Sequence, residues 1–203
     1  MIYCSPRGNK SGTSAVYELL EYAYQVEHAD RLPEIKKSIH GKPYFPELSG
    51  IHFSLSHSTT HVLCALSSSP VGCDIESPRK ISARALEYFS TPEELALFEP
   101  LELWVLKESY VKLFGRTIAS IRGLRLSREG GRIIVNPSHD NGGSSCREVI
   151  KAPDTSVSAR LCGPDTSVSA RLYRVGDKSG ECGCTAAVCS FAEVLPDSVI
   201  LVK

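Results

Sequence analysis

Two acids one residue apart, Asp74 and Glu76, stand in Val71-Gly72-Cys73-Asp74-Ile75-Glu76, a segment that alternates as a strand does. Alternate residues of a strand share a face, so Val71, Cys73 and Ile75 point one way and the two carboxylates the other. Their backbones lie about 7 Å apart at the usual strand rise. A short and a long acidic side chain can therefore converge on one cation, and Gly72 leaves room for a close approach. The same pattern also suits a half-exposed strand with two solvated acids. A third acid, Glu108, lies in Leu103-Trp104-Val105-Leu106-Lys107-Glu108-Ser109-Tyr110-Val111-Lys112, where the spacing predicts a strong helix. Leu103, Leu106, Tyr110, Leu113 and Phe114 make one apolar stripe. Leu101, Trp104, Val105 and Val111 make another, with Glu108 and Lys112 among them. A helix apolar on both faces is buried, and charges placed on it are costly unless something compensates. The plain alternative is an i,i+4 Glu–Lys pair, worth a few tenths of a kcal/mol when exposed.

Three carboxylates (Asp74, Glu76 and Glu108) would form a hard, all-oxygen set that suits Mg²⁺, an ion that usually shares its shell with substrate phosphates. Lys112, one turn beyond Glu108, is placed to neutralise charge on a departing phosphate. Those parts match phosphoryl transfer, where positioning and charge stabilisation do most of the chemistry. A local anion site accompanies them. From 31 to 42 there are four basic residues (Arg31, Lys36, Lys37 and Lys42) against Glu34 alone, with His40 beside them. Gly41-Lys42-Pro43-Tyr44-Phe45 follows, then Phe53-Ser54-Leu55-Ser56-His57-Ser58, in which a hydroxyl next to an imidazole can bind phosphate. Each feature alone also fits a solvated loop or a structural histidine.

The elements that must position these residues are readable in outline. A strand over 2–4 precedes an amphipathic helix over 13–28, and 30–50 reads as a loop broken by Pro33, Gly41, Pro43 and Pro46. Strands are predicted over 51–55, 62–66 and 71–76. A helix should start at Thr91-Pro92-Glu93-Glu94, with a capping threonine and proline at the first helical position. The helix carrying Glu108 should run over 101–114, closed by Gly115. The rest is β-rich, with strands over 123–127, 132–135, 170–175, 185–191 and 199–202. Residues 153–161 recur word for word as 164–172. One tandem copy is no solenoid, and it reads as a lengthened, tolerant surface hairpin.

Bulk properties narrow the classes. The chain has 203 residues, 42% apolar and 23% charged, with 23 basic residues facing 23 acidic ones. No overall field recruits nucleic acid or an anionic membrane, so phosphate binding must be local. No signal peptide or membrane-length apolar run is visible, so the expectation is a soluble, cytoplasmic protein with no membrane and no nucleic-acid partner. The eight cysteines have no C-x-x-C spacing and several sit in apolar runs, which predicts reduced core thiols. No G-x-x-x-x-G-K-S/T loop occurs, which excludes P-loop chemistry.

Taken in order, Gly41-Lys42-Pro43, Ser54-Leu55-Ser56-His57-Ser58, Gly72-Cys73-Asp74-Ile75-Glu76 and Trp104-Val105-Leu106-Lys107-Glu108-Ser109-Tyr110-Val111-Lys112 resemble the larger, single-chain branch of the 4'-phosphopantetheinyl transferases, the branch that activates surfactin synthetase. The resemblance implies an α+β fold of two similar lobes related by a pseudo-twofold, each a small, mainly antiparallel sheet packed on helix. It divides the chain into an N-terminal lobe over 1–76, on the nucleotide side of coenzyme A, and a C-terminal lobe over 77–203. It implies transfer of the 4'-phosphopantetheine arm from coenzyme A to a serine of an apo acyl or peptidyl carrier protein, releasing adenosine 3',5'-bisphosphate. By likeness Asp74, Glu76 and Glu108 hold Mg²⁺ against the pyrophosphate. Gly41, Lys42 and Pro43 belong to the nucleotide-binding motif, with Lys42 and Pro43 flanking the adenine, and Ser56 and His57 contact the nucleotide phosphates. Lys112 assists departure of the bisphosphate, and Glu108 deprotonates the carrier serine, directly or through a bound water. Forty residues precede Gly41, fewer than in that branch, where upstream basic residues grip the 3'-phosphate. Lys36, Lys37 or Arg31 are the replacements at hand. Val105 stands where the branch has a small or polar residue. Two fused lobes imply a monomer. The competing readings are a catalytically silent module binding coenzyme A or a carrier protein, and another Mg²⁺-dependent nucleotidyl or phosphoryl transferase.

Overall fold

Strand β1 (Ile2–Pro6) leads to Ser11, whose hydroxyl accepts the Ser14 N–H and caps α1 (Gly12–His28). The computed structural model describes residues 1–129, 132–137, 168–176, 183–191 and 195–202. The stretch expected to be a plain loop contains a two-residue ladder, β2 (Lys36–Lys37) against β3 (Pro43–Tyr44). Gly41 turns between them at φ 82°, a conformation glycine adopts without strain. Strands that short carry no alternation that could be read beforehand. Then come β4 (His52–His57), β5 (His61–Ser67) and β6 (Val71–Glu76), followed by α2 (Ala83–Phe89), α3 (Pro92–Leu95) and α4 (Pro100–Phe114). Thr91 makes the expected cap, and Gly115 closes α4 at φ 60°. A 3-10 turn over Ile118–Gly123 leads to β7 (Leu124–Glu129), β8 (Arg132–Pro137), β9 (Ser169–Val175), β10 (Cys184–Ser190) and β11 (Ile200–Leu201).

The strands form two principal sheets, ordered β11-β1-β5-β4 and β6-β10-β9-β8-β7. Every pairing is antiparallel except β1 with β11. Alternation along the strands distributes side chains among three cores. Tyr3, Val62, Cys64 and Leu66 face α1. Ile2, Cys4, Leu63 and Ala65 face the second sheet, where Val71, Cys73, Ile75, Ala186 and Val188 meet them. Ala187 and Cys189, on the far face of β10, pack on Leu106, Tyr110 and other residues of α4. The fold is thus α+β, antiparallel sheets packed against helices. β6 joins the second sheet although it precedes α2 in sequence, and β11 returns from the C-terminal region to the first.

Cys4, Cys64, Cys73, Cys184 and Cys189 are free and buried, as the apolar runs predicted. Of the duplicated segment, 168–172 is described and residues 169–172 open β9; the first copy, and the hairpin reading attached to it, lies outside the described residues. Among the described residues no helix is long and apolar enough to cross a membrane.

Candidate active site

On β6 the alternation turns Gly72, Asp74 and Glu76 toward α4. At Gly72 a Cβ would stand 2.0 Å from the Ser109 carbonyl oxygen and 2.3 Å from the Leu113 nitrogen. Only glycine lets helix and strand approach this closely, and that approach brings Lys112 within reach of Asp74. The Lys112 ammonium donates to Asp74 Oδ1 at 2.7 Å and to Ser56 Oγ at 2.9 Å. Ser56 in turn donates to Asp74 Oδ1 at 2.7 Å and accepts the Ile75 N–H at 3.3 Å. Burial alone would lower the Lys112 pKa, but Asp74, with smaller contributions from Cys73 and Glu108, lifts it above its ordinary value.

Glu108 sits half-buried on the same face of α4. Burial raises its carboxyl to about 7, Asp74 and Glu76 add to the rise, and Lys112 opposes it. Three acids therefore do share one electrostatic environment. As the side chains stand, no three His, Cys, Asp or Glu residues among those described converge closely enough to hold a metal ion. Each strand acid is held by a cation instead. Lys112 takes Asp74, and Arg79 takes Glu76 through two hydrogen bonds of 3.1 and 3.2 Å, with the Trp104 indole N–H also donating to Glu76 Oε1. Asp74 Oδ2 is buried without a hydrogen-bond partner. An orphaned carboxylate oxygen is expensive, and a hard divalent cation is the kind of ligand that satisfies one. The donor chemistry of Asp74, Glu76 and Glu108 thus fits Mg²⁺.

Beside this cluster lies a cleft of about 260 Å³ whose lining includes Gly41, Lys42, Pro43, Phe53, Lys112 and Arg116. Lys42 is not free within it: its ammonium donates to Leu113 O at 2.7 Å and Val71 O at 3.2 Å, tying the Gly41 turn to the last turn of α4 and the start of β6. Burial lowers its pKa to about 8. Ser56 and His57 part company. Ser56 is buried with its hydroxyl turned to Asp74 and Lys112, whereas His57 is exposed and lies over the first turn of α1, close enough that a Cβ on Gly12 would meet its ring at 2.6 Å. Lys36 and Lys37 are exposed on β2, Lys36 beside Glu34 at 3.8 Å.

Sequence reasoning passed over Lys107, the residue before Glu108. Its side chain is fully buried and donates to Glu94 Oε2 at 3.0 Å and Leu124 O at 2.9 Å, and also to Phe89 O. Glu94 completes the knot by accepting the Thr91 and Leu126 N–H groups. Its position in the α3 cap was legible, its lysine partner was not. Trp104 and Arg79 were also missed as partners of Glu76. The guanidinium lies 5.4 Å from the centroid of the Trp104 ring, which lines a second cavity of about 620 Å³ between α2 and the 3-10 turn.

A mainly antiparallel α+β frame that sets strand carboxylates against a lysine and a glutamate of a packed helix defines the structural class. The sequence profile of the 4'-phosphopantetheinyl transferase superfamily matches residues 70–176, from the start of β6 through α4 to the end of β9. The chain belongs to the 4'-phosphopantetheinyl transferase superfamily. It is similar to 4'-phosphopantetheinyl transferase Sfp of Bacillus subtilis (strain 168), at 32% identity over 118 residues, 53% of this chain and 52% of the relative. It is likewise similar to 4'-phosphopantetheinyl transferase psf-1 of Bacillus pumilus, at 34% over 113 residues, covering 49% and 48%. A third relative, 4'-phosphopantetheinyl transferase ffp of Bacillus subtilis, is 30% identical over 141 residues, covering 63% and 62%. The chain spans about half the length of the first two of these relatives.

Proposed function

We propose that this chain transfers the 4'-phosphopantetheine arm of coenzyme A to a serine of an apo acyl or peptidyl carrier protein, releasing adenosine 3',5'-bisphosphate, and that it needs Mg²⁺. The observation that carries the reading is the single electrostatic environment of Asp74, Glu76, Glu108 and Lys112, held at the seam of β6 and α4. Asp74, Glu76 and Glu108 would hold Mg²⁺, which supplies charge neutralisation for the pyrophosphate. The nucleotide occupies the cleft by Gly41, Lys42 and Pro43 in the 1–76 lobe, with His57 toward its phosphates, while the 77–203 lobe brings α4. Glu108 takes the proton of the carrier serine, directly or through a water. The serine oxygen forms a bond to the phosphorus bearing the pantetheine arm. The bond from that phosphorus to the bridging oxygen breaks, and Lys112 offsets the charge left on the departing bisphosphate.

The test is mass spectrometry of an apo carrier protein incubated with coenzyme A, Mg²⁺ and this chain. A gain of about 340 Da, the mass of the arm, is expected from transfer of the phosphoryl-linked group. No gain across fatty-acid, polyketide and peptide carriers, with coenzyme A still bound, would favour a silent binding module.

A further inference from the structure

The bidentate grip of Arg79 on Glu76 has a consequence for metal binding. Both Glu76 oxygens accept from the guanidinium, and Oε1 accepts from Trp104 as well. Three of the roughly four lone-pair positions of the carboxylate are thus taken, the remaining one is on Oε2 beside the guanidinium, and two cations on one carboxylate repel. We infer that Arg79 is a positioning residue that serves as a built-in counter-ion for Glu76, and that it competes with Mg²⁺ for the carboxylate and swings off it when the ion binds. The inference rests on the reading that Asp74, Glu76 and Glu108 hold the ion.

The surroundings allow the swing. Arg79 follows β6 in an irregular segment, its side chain is 43% exposed and that of Glu76 25%. Once released, the guanidinium leaves the Trp104 ring that it now covers at 5.4 Å. The exchange is therefore visible, because Trp104 is the chain's only tryptophan. A solvent-exposed ion pair is weak, so the competition should depress Mg²⁺ affinity by only about two- to fivefold.

The experiment titrates MgCl₂ at constant ionic strength into the full chain and its variants, reading affinity by calorimetry and Trp104 by fluorescence. Arg79→Gln should bind Mg²⁺ about two- to fivefold tighter than the parent, by removal of that exposed pair. The parent's emission should move on saturation toward that of metal-free Arg79→Gln. Lys80→Gln, which removes the same charge one residue on, should leave the affinity unchanged. Equal affinities for the parent and Arg79→Gln, or equal tightening in Lys80→Gln, would overturn the inference while leaving the metal reading intact. An absence of saturable Mg²⁺ binding in both the parent and Arg79→Gln would overturn both.

Discussion

Burial and the neighbouring charges of Asp74 and Glu76 raise the Glu108 carboxyl to about 7, and this sets a pH dependence with a definite sign. Below about 4.5 the group is protonated folded or unfolded and contributes nothing. Between about 4.5 and 7 the unfolded chain ionises while the fold keeps its proton, so stability falls as pH rises. Above 7 the whole penalty is in place. Glu108→Gln removes it, so thermal melts at pH 8 should show a higher Tm for the variant than for the parent, with no gain at pH 4. The same variant should lose transfer by about 10²–10⁴-fold, the usual worth of a general base. A less stable variant at pH 8 would show that the carboxylate is compensated in the fold after all. Ser56→Ala offers a second test, because it leaves the buried Ile75 N–H and Asp74 each short of a partner. It should cost about 1–3 kcal/mol in urea unfolding. At this scale the sequence was informative where local spacing decided placement. Asp74 and Glu76 share a strand face, and Glu108 and Lys112 interrupt a helix apolar on both sides. It was silent where placement depended on a distant partner. Lys107 looked like one charge among several, and Glu94, thirteen residues away, with the Phe89 and Leu124 carbonyls, makes it a core residue.

At the scale of elements, α4 is gripped from two sides. Lys42 donates to the Leu113 carbonyl at its C-terminal end, and Lys107 fastens its middle to α3 and β7. The Lys107–Glu94 pair is fully buried, so removing one partner strands a charge, at about 3–5 kcal/mol. Lys107→Met or Glu94→Leu alone should each destabilise by that order. The double variant should recover much of the loss in a denaturant double-mutant cycle, and a strictly additive double loss would contradict the account. Gly72→Ala probes the seam itself. Its Cβ would collide with backbone atoms of α4, which cannot rotate away as a side chain could. The helix must move off β6, so the variant should lose Mg²⁺ binding and lose about 1–3 kcal/mol of stability, the usual cost of overpacking. The long elements were legible because their periodicity runs for several turns. α2 was not: it has seven residues with Phe89 alone buried, so it shows no stripe, and its Ser82 cap is the one local cue.

Across the whole molecule, the two principal sheets share a core and exchange strands in sequence. Ile2, Cys4, Leu63 and Ala65 of one sheet are buried only because Val71, Cys73, Ile75, Ala186 and Val188 of the other cover them. The hydroxyls of Ser54 and Ser56 on β4 add a polar seam, accepting the backbone N–H groups of Cys73 and Ile75 on β6. This seam was invisible in sequence, where Ser56 reads beside His57 as a phosphate contact. Neither sheet can separate without exposing the shared apolar face and orphaning those N–H groups, each change costing free energy that a lone sheet has no means to recover. Unfolding should therefore be cooperative across the chain. Trp104 emission, which reports on α4 and the second sheet, and far-UV circular dichroism, to which α1 contributes the longest helix, should give the same urea midpoint. Mg²⁺ with coenzyme A should move both midpoints together, because binding to the folded state stabilises every element that unfolds with it. Two separated transitions, with only the tryptophan transition responding to ligand, would show that α1 and its sheet fold without help from α4.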